Sequence, residues 1–282
     1  MPRADLRALL DRSRDKGALP LVMGIVNITP DSFSGDGVLT PAQIQERASG
    51  LIEAGAEILD IGAESTRPGA SLLSADEERE RLLPALSALA SFDIPLSIDT
   101  RRPAIFRESL PFGASLINDI DGLSDPGFID ILQEFPHIMA VLMHKQGTPQ
   151  TMQERPEYDD VVATVEDFFR HGLASLESRG ISRDRVLLDP GIGFGKTREH
   201  NLSLLAETAR LARLGTLLIA PSRKAFLDTP GNRRSPDERD LATGGVLAWV
   251  QMQGASLFRT HRPDVAREIR RTLKAIEDVR RG

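Results

Sequence analysis

Polar residues recur at the ends of short apolar runs along this chain, and their types suit the binding of a flat, polar molecule. Asp99 follows Leu-Ser-Ile, Asn118 follows Leu-Ile, and Asp189 follows Val-Leu-Leu. Two carboxylates and an amide provide acceptors and a donor that match the edge of a heterocycle with N–H groups and a carbonyl. If the three runs lie side by side, these groups form one clasp for such a ring.

A second set of polar residues suits an anionic, oxygen-rich group. Arg259 and His261 alternate with Thr260, so an extended chain directs both side chains to the same side. A guanidinium can form two parallel hydrogen bonds to phosphate oxygens. Asn27 ends the first apolar run and adds an amide beside them if the first and last runs are neighbours. These residue types indicate a phosphate-like group on the substrate.

Each of these polar residues also has an ordinary structural interpretation. Asp99 could cap the helix that follows it, and Asp189 could serve only a turn. Ser222 could likewise cap a helix, Lys224 could be solvated, and His144 could be a hydrogen-bonded core histidine. Residue types alone therefore indicate an enzyme for a polar planar substrate with an anionic group, and they do not name its reaction.

The elements that must position these residues alternate between apolar runs of strand length and amphipathic helical segments. Capping boxes at Thr40–Gln43 and Ser74–Glu77 predict two helix starts. Eight alternating strand–helix units predict a closed (β/α)8 TIM barrel, whose strands all end at one rim. We predict strands at Leu21–Asn27, Glu57–Gly62, Pro95–Asp99, Ala114–Asn118, His137–His144, Arg185–Asp189, Thr216–Ala220 and Ala255–His261.

Loop lengths and domain limits complete the predicted architecture. Long loops at Thr29–Gly37 and Glu64–Ala70 follow strands one and two, and we expect them to close over bound substrate. Residues 1–18 form a helical extension, and residues 1–282 form one domain. An open nucleotide-binding sheet is disfavoured because no G-x-G-x-x-G turn follows the first strand.

Composition limits the class of protein. The 282 residues are 40% hydrophobic and 27% charged, which is enough to bury a full core. A net charge of −6 argues against nucleic-acid binding, and no apolar run is long enough to span a membrane. The start of the sequence lacks the apolar core of a signal peptide. The absence of cysteine excludes disulfides and thiolate catalysis and fits a reducing compartment. Together these features lead us to expect a cytoplasmic protein without nucleic-acid or membrane partners.

Eight short segments, in order from strand one to strand eight, carry a resemblance that covers nearly the whole chain. They are Gly24–Ser34, Glu64–Ala70, Ser97–Thr100, Ile117–Ile120, Leu142–Pro149, Leu188–Lys196, Ser222–Lys224 and Arg259–His261. In this combination the sequence resembles the dihydropteroate synthases of the pterin-binding TIM-barrel superfamily. The resemblance implies a transferase of folate biosynthesis that joins 6-hydroxymethyl-7,8-dihydropterin diphosphate to 4-aminobenzoate and releases diphosphate.

The resemblance also implies a role for each site residue. The implied pterin-binding residues are Asp99, Asn118, Met143, Asp189 and Lys224. The implied diphosphate-binding residues are Asn27, Arg67, Arg259 and His261, with Mg²⁺ bound through Asn27. The implied aminobenzoate-binding residues are Phe33, Thr66, Pro68 and Ser222. Among these, the implied catalytic residues are Asn27, Asp99, Lys224, Arg259 and His261. Members of the family are generally homodimers and targets of sulfonamides, which mimic aminobenzoate.

Two other functions share part of this pattern. A methyltransferase that moves a methyl group from methyltetrahydrofolate to a corrinoid would use the same pterin clasp. It would not need Thr66-Arg67-Pro68-Gly69, Ser222–Lys224 or Arg259–His261. A catalytically altered paralogue would be expected to lose Asn27, Lys224 or Arg259, and all three are present. The chain departs from the family pattern at Gly35-Asp36, at Ala220-Pro221 and at Arg262, where an aspartate is common.

Overall fold

Eight parallel strands close into a barrel, as the alternating pattern predicts. The computed structural model describes residues 4–15, 17–28, 40–64, 73–147, 152, 156–229 and 231–281. Each strand pairs with the next in sequence, and the eighth pairs with the first, with Leu21 opposite Leu257 and Met23 opposite Arg259. The strands are β1 Leu21–Asn27, β2 Ile58–Gly62, β3 Leu96–Asp99, β4 Ala114–Asp119, β5 Met139–Met143, β6 Val186–Asp189, β7 Thr216–Ile219 and β8 Leu257–Thr260.

Helices connect the strands around the outside of the barrel. Both predicted capping boxes are confirmed: Thr40 and Gln43 bond reciprocally at the start of one helix, and Ser74 and Glu77 do so at another. The helices are α1 Leu6–Arg14, α2 Pro41–Glu53, α3 Ala75–Ala88, α4 Pro103–Ser109, α5 Pro126–Glu134, α6 Val161–Ser178, α7 Arg198–Ala206, α8 Thr208–Ala212, α9 Asp240–Met252 and α10 Pro263–Arg281. Within the described ranges, none is long and apolar enough to cross a membrane.

The strand side chains divide between two apolar clusters. In β2, Leu59 and Ile61 belong to the outer cluster between barrel and helices, whereas Ile58 belongs to the inner cluster that fills the barrel. This alternation follows from the two-residue period of a strand. It places Asp60 on the same side as Ile58, so a carboxylate faces the barrel interior. The interior of the barrel is therefore apolar but contains a carboxylate at the level of Asp60.

Helix α1 closes the lower end of the barrel. Its Leu6 and Leu10 are buried in the inner cluster, and Leu9 packs against that cluster. Arg14 fixes the end of the helix, because its Nε donates to Thr216 Oγ1 at 2.7 Å and its Nη2 donates to the Asp184 carbonyl at 2.6 Å. The predicted N-terminal helix is thus confirmed as a floor beneath the strands.

Seven of the eight predicted strands differ from the structure by one or two residues at an end, and β1 has the predicted bounds. β5 is shorter than predicted at both ends, and β8 ends at Thr260 instead of His261. The His261 amide donates to the Ser222 hydroxyl at 3.1 Å and so leaves the strand ladder. β4 continues past Asn118 to Asp119, whose carboxylate accepts the amides of the turn that follows.

Candidate active site

The residues predicted to clasp a planar ring meet at the carboxyl-terminal rim of the barrel. Asp99 ends β3 and lies opposite Asn118 of β4. Met143 ends β5 and lies opposite Asp189, which ends β6. Asn118, Met143 and Asp189 are buried, and Asp99 is nearly so. Four side chains from four consecutive strands therefore line one polar pocket with an apolar wall.

A carboxylate that the strand-end pattern does not mark, Asp60 of β2, links this group together. Asp60 is fully buried. Its Oδ1 accepts hydrogen bonds from Ser97 Oγ at 2.5 Å and from Asn118 Nδ2 at 3.1 Å, and its Oδ2 accepts from Arg259 Nε at 2.6 Å. Because an ionised carboxylate only accepts, the Asn118 amide must turn its nitrogen toward Asp60. The Asn118 amide oxygen is thereby directed away from Asp60.

The guanidinium of Arg259 bridges two carboxylates of the pocket. Its Nη2 donates to Asp99 Oδ2 at 2.8 Å and lies 2.6 Å from Asp60 Oδ2. Burial raises the pKa of Asp99 to about 7, with the Arg259 cation opposing that rise and Asp60 adding to it. Asp99 is not a helix cap, because α4 begins after Arg102 without a side-chain cap bond.

The glycine-rich loop after β6 holds Asp189 in place. Asp189 Oδ1 accepts the Gly191 amide at 2.7 Å. Gly191 has a φ of 65°, and a Cβ there would lie 1.9 Å from the His144 carbonyl oxygen, so only glycine fits. Burial raises the pKa of Asp189, while the Lys224 cation opposes the rise. Asp189 thus serves the turn and still presents a second carboxylate oxygen.

Lys224 is partly buried and packs against the same glycine-rich loop. Its Nζ donates to the Ile192 carbonyl and lies 4.4 Å from the centre of the Phe194 ring. A Cβ on Gly193 would approach the Lys224 stem to 2.9 Å, so the loop and the lysine fit closely. Burial lowers the pKa of Lys224 to about 7, with the Asp189 charge opposing the change.

Ser222 and His261 lie together at the edge of the pocket. The distance from Ser222 Oγ to His261 Nδ1 is 2.9 Å. Thr260 is fully buried, whereas Arg259 and His261 on either side of it are partly exposed, as the predicted alternation requires. The contact joins a residue predicted for the aminobenzoate to one predicted for the diphosphate. Ser222 therefore bonds to His261 instead of capping a helix.

Behind the glycine-rich loop, Lys196 and His144 form a buried pair. Lys196 Nζ lies 3.1 Å from His144 Nδ1 and donates to the carbonyls of His144, at 3.3 Å, and Phe194, at 3.0 Å. Burial lowers the pKa of His144 to about 3 and that of Lys196 to about 7. A neutral imidazole therefore accepts from the lysine. The interpretation of His144 as a hydrogen-bonded core histidine fits this geometry.

The predicted loop residues fall outside the described part of the chain. These are Phe33, Thr66, Arg67 and Pro68, together with the whole of Thr29–Gly37. The two flanks of the second loop are described, and Glu64 joins them by accepting the Leu73 amide at 2.7 Å. The same carboxylate lies 3.5 Å from Arg101 and from Arg102 at the start of α4. Glu64 and Leu73, the described flanks of this loop, thus meet at the rim.

The unusual cation at Arg262 is neutralised by its neighbours. Its Nε and Nη2 donate to Asp264 at 2.9 and 2.6 Å, and its Nη1 lies 3.5 Å from Asp240. Both carboxylates lie on adjoining helices, outside the pocket. The replacement of a common aspartate by arginine therefore adds little net charge at the rim.

Comparison with known proteins identifies the family to which this chain belongs. The sequence pattern of the family described as pterin binding enzyme matches residues 23–261. Dihydropteroate synthase of Escherichia coli K12 is 42% identical over 268 residues, covering 93% of this chain and 94% of the relative.

Solved structures agree with this relationship. Yersinia pestis dihydropteroate synthase in complex with a sulfonamide drug superposes with a TM-score of 0.87 at 39% identity, covering 93% of this chain and 96% of the other. The Xanthomonas albilineans enzyme with 4-aminobenzoic acid has a TM-score of 0.85 at 37% identity, covering 95% and 94%. The chain belongs to the dihydropteroate synthase family of transferases, which act in folate biosynthesis.

Proposed function

We propose that this protein condenses 6-hydroxymethyl-7,8-dihydropterin diphosphate with 4-aminobenzoate to give 7,8-dihydropteroate and diphosphate. The C–O bond at the pterin methylene breaks, and diphosphate leaves with the bonding pair. A C–N bond forms to the aminobenzoate amine, which releases a proton. The convergence of Asp99, Asn118, Asp189 and Lys224 on one buried pocket is the observation that carries this proposal.

The pocket chemistry supports recognition of the pterin edge. Asp60 fixes the Asn118 amide so that its oxygen is available to accept an N–H of the ring. Asp189 has one oxygen bound to Gly191 and a second to accept from the 2-amino or ring N–H groups. Lys224 can donate to the ring carbonyl, and Met143 provides an apolar surface for its face.

Arg259 and His261 are proposed to hold the departing diphosphate, together with Asn27 and Arg67. The Nε and Nη2 atoms of Arg259 are bonded to Asp60 and Asp99, which orients the guanidinium before any ligand arrives. Its Nη1 has no hydrogen-bond partner among the described residues and is proposed as the donor to phosphate. A fixed cation of this kind stabilises the negative charge that grows on the leaving oxygens.

Mg²⁺ is proposed to accompany the diphosphate at Asn27. No cluster of three or more histidine, cysteine or acidic side chains able to hold a metal occurs in the described ranges. The Asn27 side chain forms no hydrogen bond to another described residue, so its amide oxygen is available. A single oxygen ligand fits Mg²⁺, which commonly keeps several waters and binds through substrate phosphates. When bound, the ion would neutralise charge on the diphosphate.

The aminobenzoate is proposed to bind beside Ser222, with Phe33, Thr66 and Pro68 from the two long loops completing its site. The proposal is supported by the relatives crystallised with 4-aminobenzoic acid and with a sulfonamide. The described flanks of the second loop, Glu64 and Leu73, meet at the rim. We infer that sulfonamides compete at this position.

The oligomer is proposed to be a homodimer formed through α7 and α9. Leu241, Trp249 and Met252 on one face of α9 are 89%, 48% and 62% exposed. Leu202 on α7 is 40% exposed, and Trp249 Nε1 bonds to the Leu205 carbonyl of that helix at 2.9 Å. Large exposed apolar side chains on two adjoining helices are typical of an interface, and a two-fold axis would let the surface pair with its own copy. We place the protein in the cytoplasm, which suits a chain without cysteine.

A single assay tests the proposed reaction. Purified protein is supplied with the pterin diphosphate and Mg²⁺, and diphosphate release is followed with and without 4-aminobenzoate. We expect release to depend on aminobenzoate and dihydropteroate to form in equal amount. Release without aminobenzoate, or pterin binding without any turnover, would instead favour a pterin-binding paralogue.

A further inference from the structure

Arg223, between Ser222 and Lys224, adopts a backbone conformation that is unfavourable for its residue type. Its φ is 62°, in the left-handed region, where a side chain with a Cβ is strained. Such strain persists only when the surrounding structure imposes it, and it is concentrated at functional sites. The turn reverses the chain so that the two flanking residues face the pocket and the arginine side chain does not.

Three residues at or next to the start of α9 bond to the backbone of Arg223 and to two of its three guanidinium nitrogens. The guanidinium Nε and Nη2 donate to the two carboxylate oxygens of Asp240, both at 2.7 Å. The Arg223 amide donates to Thr243 Oγ1 at 3.2 Å, and its carbonyl accepts from Arg239 Nη1 at 3.0 Å. Arg239, Asp240 and Thr243 therefore hold both the backbone and the side chain of Arg223, and we call this set of contacts the clamp.

The clamp itself is rigid because Arg239 is tied to the chain that follows Lys224. Arg239 is buried, and its Nε and Nη2 donate to Asp228 at 2.9 and 2.7 Å. Asp228 directly follows the short 3₁₀ turn Ala225–Leu227. The segment from Ser222 to Asp228 is thus fixed to the beginning of α9 at both ends.

We propose that Asp240 and Arg223 are positioning residues that hold Ser222 and Lys224 in register with the pocket. The pair maintains the strained turn, and the turn sets the direction from which Lys224 reaches the Ile192 carbonyl and Ser222 meets His261. In this proposal neither residue contacts substrate, and both act through Ser222 and Lys224. This inference rests on the proposed function for the roles of Ser222 and Lys224.

Substitutions that separate strain from contact test the clamp. Arg223→Gly and Arg223→Ala both remove the ion pair with Asp240 and keep the backbone contacts. Only alanine keeps the strain of the left-handed conformation, which glycine adopts readily. We expect the affinity for 6-hydroxymethyl-7,8-dihydropterin and kcat/KM to fall further in Arg223→Ala than in Arg223→Gly. We expect Asp240→Asn to lower kcat/KM about tenfold or more, because small displacements of positioning groups are costly.

A double variant and a control complete the experiment. Asp240→Asn added to Arg223→Gly should cause no further loss, since no strained turn remains to be held. Asp264→Asn removes another arginine-paired carboxylate from the same rim and should stay close to wild type. Additive losses, equal effects of glycine and alanine, or a lowered Tm without altered pterin affinity would overturn the clamp. If the wild type binds pterin without turnover, the proposed reaction is refuted. The comparison of pterin affinity among the variants then still tests the clamp.

Discussion

At the residue scale, Arg259 is shared between two functions that the sequence suggests separately. Its guanidinium orients Asp60 and Asp99, and its third nitrogen is proposed for the diphosphate. Arg259→Lys keeps the charge but loses the planar fork. We expect the pterin diphosphate to lose about 1.5–3 kcal/mol of binding energy and the pterin alcohol to lose less.

Titration calorimetry with both ligands measures this difference. The sequence pattern alone predicts that the pterin alcohol is spared altogether. The contacts to the two carboxylates change that expectation, because a lysine would disturb the pterin pocket as well. Equal losses for the alcohol and the diphosphate would remove Arg259 from the diphosphate site and leave it only a structural role.

Asp60 provides a second test at this scale. Asp60→Asn places an amide nitrogen among donors from Ser97, Asn118 and Arg259. We expect the free energy of unfolding to fall by about 3 kcal/mol, as when one partner of a buried ion pair is lost. Pterin affinity should fall at least tenfold, because the Asn118 amide is no longer oriented. Chemical denaturation and calorimetry measure the two effects.

Ser97→Ala is the matched control for Asp60. It removes one donor from the same carboxylate and leaves Asn118 and Arg259 in place. A loss of about 1 kcal/mol in stability with pterin affinity unchanged is expected. If Asp60→Asn folds and binds pterin like wild type, the carboxylate does not orient the clasp.

At the scale of elements, the order and type of the strands could be predicted because each apolar run ends in a polar residue. The helix starts after Thr40 and Ser74 were equally predictable, since both carry reciprocal capping side chains. These signals are local. A strand or cap is determined by residues within one turn or one run, and a sequence displays such neighbours directly.

The residues that escape prediction depend on contacts distant in sequence. Asp60 lies in the middle of β2, and its partners come from β3, β4 and β8. The one sequence signal for Asp60 is that it lies on the same side of β2 as Ile58, which faces the barrel interior. Lys196 follows a glycine-rich loop, where a lysine is ordinarily solvated, and its burial depends on His144 of another unit. Closure of the barrel creates both environments.

The lowered pKa values of Lys196 and Lys224 predict how the free energy of unfolding depends on pH. Burial lowers the pKa of Lys196 from 10.5 to about 7, so between these values the unfolded chain binds more protons than the folded one. Stability must therefore rise with pH above 7. Lys224 acts in the same direction, whereas Asp99, with its raised pKa of about 7, lowers stability as pH rises from about 4 to 7.

Denaturation at several pH values measures this effect. We expect the free energy of unfolding to increase between pH 7.5 and about 9.5, by at most about 1.4 kcal/mol per pH unit for each lysine. Lys196→Met should flatten this slope. Lys274→Met, which removes a partly exposed lysine of α10, should leave the slope as in wild type. A wild-type stability that is flat over this range would contradict the burial of the Lys196 charge.

At the scale of the whole molecule, the apolar face of α9 makes the oligomeric state testable. Leu241→Glu places a charge at the most exposed apolar position of this face. We expect wild type to sediment with about twice the mass of one chain and the variant to sediment as a monomer. Val279→Glu, at an 83% exposed position near the end of α10, is the control and should remain dimeric. A monomeric wild type would contradict the proposed dimer.

The floor formed by α1 has a consequence for the order of folding. Leu6 and Leu10 pack in the inner cluster with Leu21 of the first strand and Leu257 of the last. Chains are synthesised from the N-terminus, so α1 leaves the ribosome long before β8 exists. Until the barrel closes, Leu6 and Leu10 of α1 lack part of the apolar surface against which they pack. They therefore remain available to bind chaperones or other nascent chains. We therefore expect docking of the first helix and insertion of the last strand to occur in one late, cooperative step.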